Sequence, residues 1–209
     1  MKKSGCLPVL MLLGITFMCF SFISTHNDER TIKNFSLKNV SNKVVSLSEY
    51  KNAKGFMVVF MCNKCPMAKF YSERLNKLNN QFKAKGVYLL AINTMDTLAY
   101  AEESFALMQK RAKQDKFSFP YLQDKLQAVG KQFKATHTPQ AFVIWKNKLG
   151  QFAIKYQGSI DDNAGDANSA KPYLAQAVEE LLKNKTVANP ITESFGCRIF
   201  YRGIKDNMK

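Results

Sequence analysis

With 209 residues, 46% of them hydrophobic and 12% aromatic, the chain is long enough for one domain with a full core and too apolar for intrinsic disorder. A formal net charge of +15 invites a nucleic-acid reading. The lysines, however, are scattered singly along predicted helices and turns and no nucleic-acid module is present, so a solvated basic surface and no nucleic-acid partner are expected.

Lys2 and Lys3 precede an apolar stretch over residues 7–23 that is closed by Ser24, Thr25 and His26, the pattern of a secretory signal. The stretch is also long enough for an uncleaved membrane anchor. Residues 1–24 are therefore expected to be a leader or an anchor, placing the protein in the periplasm or on a membrane, outside the cytoplasm. Of five cysteines, Cys6 and Cys19 belong to that segment. Cys62, Cys65 and Cys197 remain, an odd number in a compartment where disulfides persist.

Residues 26–31 form a polar lead-in. Two alternating segments over residues 35–38 and 44–47 flank Asn39 to Asn42 and predict a β-hairpin, followed by a short turn capped by Ser48. Residues 56–61 are an unbroken run of β-branched, aromatic and thioether side chains, expected to be a strand covered on both faces. Pro66 then opens a helix, since a proline at the first helical position forfeits no hydrogen bond. Tyr71, Leu75, Leu78 and Phe82 give that helix an inward face, with Lys69, Glu73, Arg74 and Lys77 outward. Residues 87–92 are a second buried strand, so β, α, β in order implies a parallel pair with a right-handed crossover.

A third amphipathic segment spans residues 102–116, with Phe105, Leu107, Met108 and Ala112 inward. Residues 119–122, which contain Pro120, read as an edge strand, and Asp124 caps a short helix over 125–133. Thr138-Pro139 precedes a strand over 141–145, where a cis peptide would keep the proline clear of the ladder. That strand pairs with residues 151–157, a polar loop with Asp161 and Asp162 follows, and Pro172 opens the last helix, 171–183.

The chemistry concentrates at Cys62-Asn63-Lys64-Cys65-Pro66, where strand meets helix. A helix N-terminus carries about half a positive charge and unpaired N–H groups, which favour a thiolate. A free thiol titrates near about 8.5 and the first cysteine of a C-x-x-C pair near about 3.5–7.5. The helix end, worth up to ~2 kcal/mol, moves a pKa by about one or two units. Cys62 is accordingly expected to be the acidified thiol, with Lys64 and Pro66 tuning it. The strand-turn-helix context favours a redox dithiol over a metal site or an inert disulfide.

This order of motifs resembles the thioredoxin fold. More narrowly, Cys62-Asn63-Lys64-Cys65-Pro66, Phe119-Pro120-Tyr121-Leu122, Thr138-Pro139, the loop from Gly158 to Asn163, and Gly196-Cys197-Arg198-Ile199 are similar to the redoxin branch related to the alkyl hydroperoxide reductase and thiol-specific antioxidant group. The resemblance implies an α/β thioredoxin fold, with a central mixed sheet flanked by helices and an N-terminal β-hairpin extension. The redoxin domain would cover residues 30–185 and a tail residues 186–209. It implies an antioxidant or thiol-disulfide oxidoreductase needing no organic cofactor, acting on protein thiols with a thiol donor or acceptor. Cys62 would be the exposed nucleophile and Cys65 the resolving thiol. Thr138 and Pro139 would hold an incoming peptide backbone.

Lys64 stands where that family often has histidine, and no acid occurs in the strand before the cysteines. Cys197 is a third thiol that could resolve a mixed disulfide, pair across a dimer or be buried. Two alternatives stand beside this reading. A thiol peroxidase expects Pro-x-x-x-Thr/Ser-x-x-Cys, and neither cysteine fits that frame. A copper-binding chaperone would use Cys62, Cys65 and His137, although two residues rather than three separate the cysteines.

Overall fold

A computed structural model describes Met1 and residues 29–203; residues 2–28, which hold nearly all of the expected leader or anchor, and residues 204–209 lie outside the described part. Ten strands can be named: β1 (Thr31–Ile32), β2 (Ser36–Asn39), β3 (Val44–Ser46), β4 (Gly55–Phe60), β5 (Val87–Asn93), β6 (Tyr121–Gln123), β7 (His137–Thr138), β8 (Gln140–Lys146), β9 (Phe152–Gly158) and β10 (Cys197–Arg198). The helices are α1 (Pro66–Phe70), α2 (Ser72–Lys83), α3 (Phe105–Gln114), α4 (Ala128–Phe133) and α5 (Tyr173–Leu182).

Eight strands form one mixed sheet in the order β1-β9-β8-β4-β5-β6-β2-β3. β4 lies near the middle, parallel to β5 and antiparallel to β8, and all six of its residues are buried. Its β-branched and aromatic side chains suit a strand covered on both faces. Phe60 packs edge-on against Phe133 of α4 at 5.5 Å and Phe142 of β8 at 5.7 Å. These rings fix the end of β4 from which the cysteine loop departs.

The β2–β3 hairpin forms as expected, and Thr138-Pro139 is cis. Several expectations are corrected. The polar lead-in contributes β1, which pairs with β9. The short turn after β3 is capped at Ser46 rather than Ser48, with the Glu49 carboxylate accepting the Ser46 N–H at 3.4 Å. β6 is not an edge, because β2 pairs along its other side and Pro120 stops short of the ladder. Asp124 does cap, but the helix begins later, its carboxylate accepting the N–H groups of Ala128 and Gly130. On α3, Leu107 is exposed, and Arg111 shares the buried stripe with Met108.

The single helix after Pro66 is divided at Tyr71. The Arg111 guanidinium takes the Ala68 carbonyl at 2.9 Å, engaging a ladder acceptor at the break. Arg74 is not a surface residue either. It donates to Asp161 at 2.6 Å and to the carbonyls of Asn163 and Ala164, while Tyr71 donates to the same buried Asp161. Within the expected polar loop, Asp161 forms a buried ion pair that pins the chain after β9 to α2.

Candidate active site

β4 delivers Cys62, α1 carries Cys65 at its N-cap, and the cis-proline loop between β7 and β8 faces both. The two sulfurs converge on one residue. Cys62 Sγ lies 3.0 Å from Thr138 Oγ1, and Cys65 Sγ lies 3.3 Å from the Thr138 carbonyl oxygen. All three cysteines of the described chain are thiols, Cys62 and Cys65 buried and Cys197 exposed.

The two cysteines differ in what surrounds their sulfurs. Cys62 is only 2% exposed and Cys65 only 1%, and Cys62 sits three residues before the N-cap. Its thiol is pushed up, because it spends its proton on a hydrogen bond to Cys65, because it is buried, and because the Glu103 carboxylate is near; the Thr138 hydroxyl opposes this. Cys65 is pulled down to about 4, first by the Cys62 thiol and then, against the cost of burial, by the Cys197 thiol and the N–H groups of Ala68 and Cys197. Ala68 occupies the third helical position, whose N–H normally bonds the N-cap side chain. The Cys65 thiol donates to the Thr138 carbonyl.

Lys64 is engaged away from the cysteines. Its ammonium reaches outward to Glu102 at 2.6 Å, and both groups are largely exposed. Pro66 is the first residue of α1. His137 shares its Nδ1 with the Thr136 hydroxyl at 2.9 Å, and among the described residues no three His, Cys, Asp or Glu side chains are grouped to hold a metal ion. Cys62, Cys65 and His137 are therefore not brought together as a copper site.

Two site residues have no counterpart in the sequence reading. Glu103, 2% exposed, accepts the N–H of Asn63 at 2.6 Å, the N–H of Lys64 at 3.1 Å and the Asn93 amide at 2.8 Å. Arg111, 6% exposed, donates to the carbonyls of Cys62 and Ala68 and pairs with Asp115. Tyr121 donates to Asn63 Oδ1 at 3.0 Å. Together they clamp the loop between the cysteines from below, supplying the buried acid that β4 lacks. Removing the negative charge with Glu103→Gln is expected to move the ionisation of Cys62 to lower pH, because one cause of its elevation is gone. Lys64→Ala is expected to leave both cysteines unmoved; site-resolved alkylation across pH reads both variants.

A C-x-x-C pair between a buried strand and a helix, faced by a cis-proline loop on a mixed sheet, defines a dithiol protein of the thioredoxin fold. The family model for AhpC/TSA matches residues 29–153, and the chain belongs to that family. Among solved structures it is similar to an uncharacterised conserved protein of Geobacillus kaustophilus, at 29% identity and a TM-score of 0.75 over 85% of this chain and 93% of that one. It is also similar to a hypothetical protein of Sinorhizobium meliloti, at 28% identity and a TM-score of 0.74 over 84% and 95%. A putative thiol:disulfide interchange protein DsbE of Chlorobium tepidum shares the fold at 18% identity, with a TM-score of 0.54 over 75% and 95%. No match is found among curated proteins.

Proposed function

We propose that the protein exchanges disulfides with protein thiols through Cys62 and Cys65, with Cys65 as the attacking thiolate and Cys62 as the resolving thiol. The observation that carries this is the convergence of both sulfurs on Thr138, with Cys65 at a helix N-cap. The Cys65 thiolate attacks one sulfur of a partner disulfide and expels the other as a thiolate. Cys62 then loses its proton, attacks Cys65 and releases the second partner sulfur. The result is one Cys62–Cys65 disulfide and a reduced partner, and the same steps backwards oxidise a dithiol.

Thr138 and Pro139 are the backbone edge against which an extended partner segment would align. The N-terminal lysines and the apolar stretch after them support an exported or membrane-anchored site of action. Among the described residues no helix is long and apolar enough to cross a membrane.

Equilibration in glutathione buffers spanning about −300 to −120 mV, followed by alkylation and disulfide mapping, tests the function. A two-electron transition that joins Cys62 to Cys65 is expected. Two free cysteines at every potential would refute it. Oxidation by hydrogen peroxide no faster than that of a free thiol is expected in stopped flow, which separates this reading from a peroxidase.

A further inference from the structure

The tail returns to the site it was expected merely to follow. After α5 the chain crosses to β9, where the Thr192 N–H donates to the Gln157 carbonyl and the Thr192 hydroxyl meets Tyr156 at 2.6 Å. A second anchor lies beyond the site. Ile199 is buried, its N–H bonds the Thr136 carbonyl, Tyr201 donates to the Ala135 carbonyl at 2.7 Å, and Gln127 bonds the Phe200 carbonyl and the Arg202 N–H. Between these anchors residues 193–198 run over the two active cysteines as a strap.

The strap is a strand on the cis-proline loop. β10 pairs antiparallel with β7 in a register that sets Cys197 opposite Thr138, and the Thr138 hydroxyl lies 3.4 Å from the Cys197 carbonyl. The approach is too close for a side chain at the preceding position. A Cβ on Gly196 would lie 2.2 Å from the Thr138 carbonyl oxygen, and its φ of +143° is one that other residues rarely adopt. One residue further back, Phe195 lines a groove of about 220 Å³ with Met67, Tyr71, Pro139 and Ile160. Backbone, cysteine and aromatic side chain thus take the place of a bound cysteine peptide, and Cys197 stands opposite the residue on which the Cys62 and Cys65 sulfurs converge.

We infer that the C-terminal strand is a tethered internal substrate whose Cys197 exchanges with the Cys62–Cys65 disulfide to form an alternative Cys65–Cys197 disulfide, a step that rests on the function proposed above. The Cys197 sulfur attacks Cys65, the Cys62–Cys65 bond breaks, and the proton lost by Cys197 ends on Cys62. One disulfide replaces another, so no outside oxidant or reductant enters. A partner segment must displace the strap to reach the pair, and Cys197 keeps the oxidised site occupied until it does.

The test uses the full-length Cys62→Ser variant with oxidised glutathione as the disulfide. Cys65 attacks it, releases one glutathione and carries the other, and Cys197 then displaces that second glutathione. Mass mapping of the monomer is expected to find Cys65–Cys197 in most chains and a glutathione adduct on Cys65 in fewer than about a tenth. A lasting adduct with Cys197 still open to alkylation would overturn the inference, as would a Cys65–Cys197 bond found only between chains. Wild-type protein, which does not depend on the variant folding, is expected to show Cys65–Cys197 beside Cys62–Cys65. A wild-type protein that forms Cys62–Cys65 alone would sink the inference and leave the proposed function standing, whereas failure to form Cys62–Cys65 would sink that function.

Discussion

Cys65→Ser is expected to slow disulfide exchange with an oxidised protein by about 10³-fold or more, the scale seen when a nucleophile is removed from a group of residues acting as a unit. Cys62→Ser is expected to keep the first attack within about tenfold of wild type, since a serine hydroxyl can still donate to the Cys65 sulfur. The asymmetry follows from placement. Cys65 is the N-cap residue of α1, and the Cys62 thiol, the Cys197 thiol and the Ala68 N–H draw its ionisation down, whereas the bond to Cys65, burial and the nearby Glu103 carboxylate push Cys62 up. A thiolate attacks and a thiol does not, so the cysteine that ionises first sets the rate near neutral pH. Single-turnover mixing with an oxidised protein, quenched in acid, reads both variants. Full activity in Cys65→Ser with loss in Cys62→Ser would restore the order expected from the motif.

Arg111→Met is expected to destabilise the reduced protein by about 2–4 kcal/mol, a large part of a total of about 5–15 kcal/mol. The guanidinium bonds the carbonyls of Cys62 and Ala68 and pairs with Asp115, so its loss strands two buried acceptors at once. Methionine fills much of the volume and isolates the polar loss from a cavity. Asp115 is partly exposed and can turn to water, which holds the cost below that of a fully buried pair. Arg111→Lys is expected to recover little, because an ammonium cannot span carbonyls on two elements as a planar fork does. Urea unfolding of the reduced chain measures this; a loss below about 0.5 kcal/mol would show that the loop between the cysteines holds itself.

The scaffold was largely legible before the structure. The unbroken apolar run ending at Phe60, the helix-starting Pro66 and the Thr138-Pro139 pair each carry a local rule, and together they specify a strand, a turn and a loop around two cysteines. What stayed hidden depends on long-range contact. Glu103 reads as one more acid at a helix start, and Arg111 as one more base, although its spacing of three from Met108 puts it on the inward stripe and was the available signal. β10 is two residues long with no alternation to announce it, and only its pairing with β7 makes it a strand. The helix N-terminus was correctly located, but a rule about helix ends does not say which of two cysteines lies on the cap. That depends on where the chain leaves β4, and here it leaves so that Cys65 becomes the N-cap.

The most direct test of the account is the pH profile of iodoacetamide alkylation at each cysteine of the reduced protein, resolved by mass spectrometry and normalised to its own plateau. Cys65 is pulled down to about 4, so its thiolate should be present through neutral pH and be lost only as the pH falls through that value. Cys62, pushed up, should begin to react only well above neutrality. Cys62 reacting first, or both cysteines titrating together near about 8.5 as free thiols do, would contradict the account.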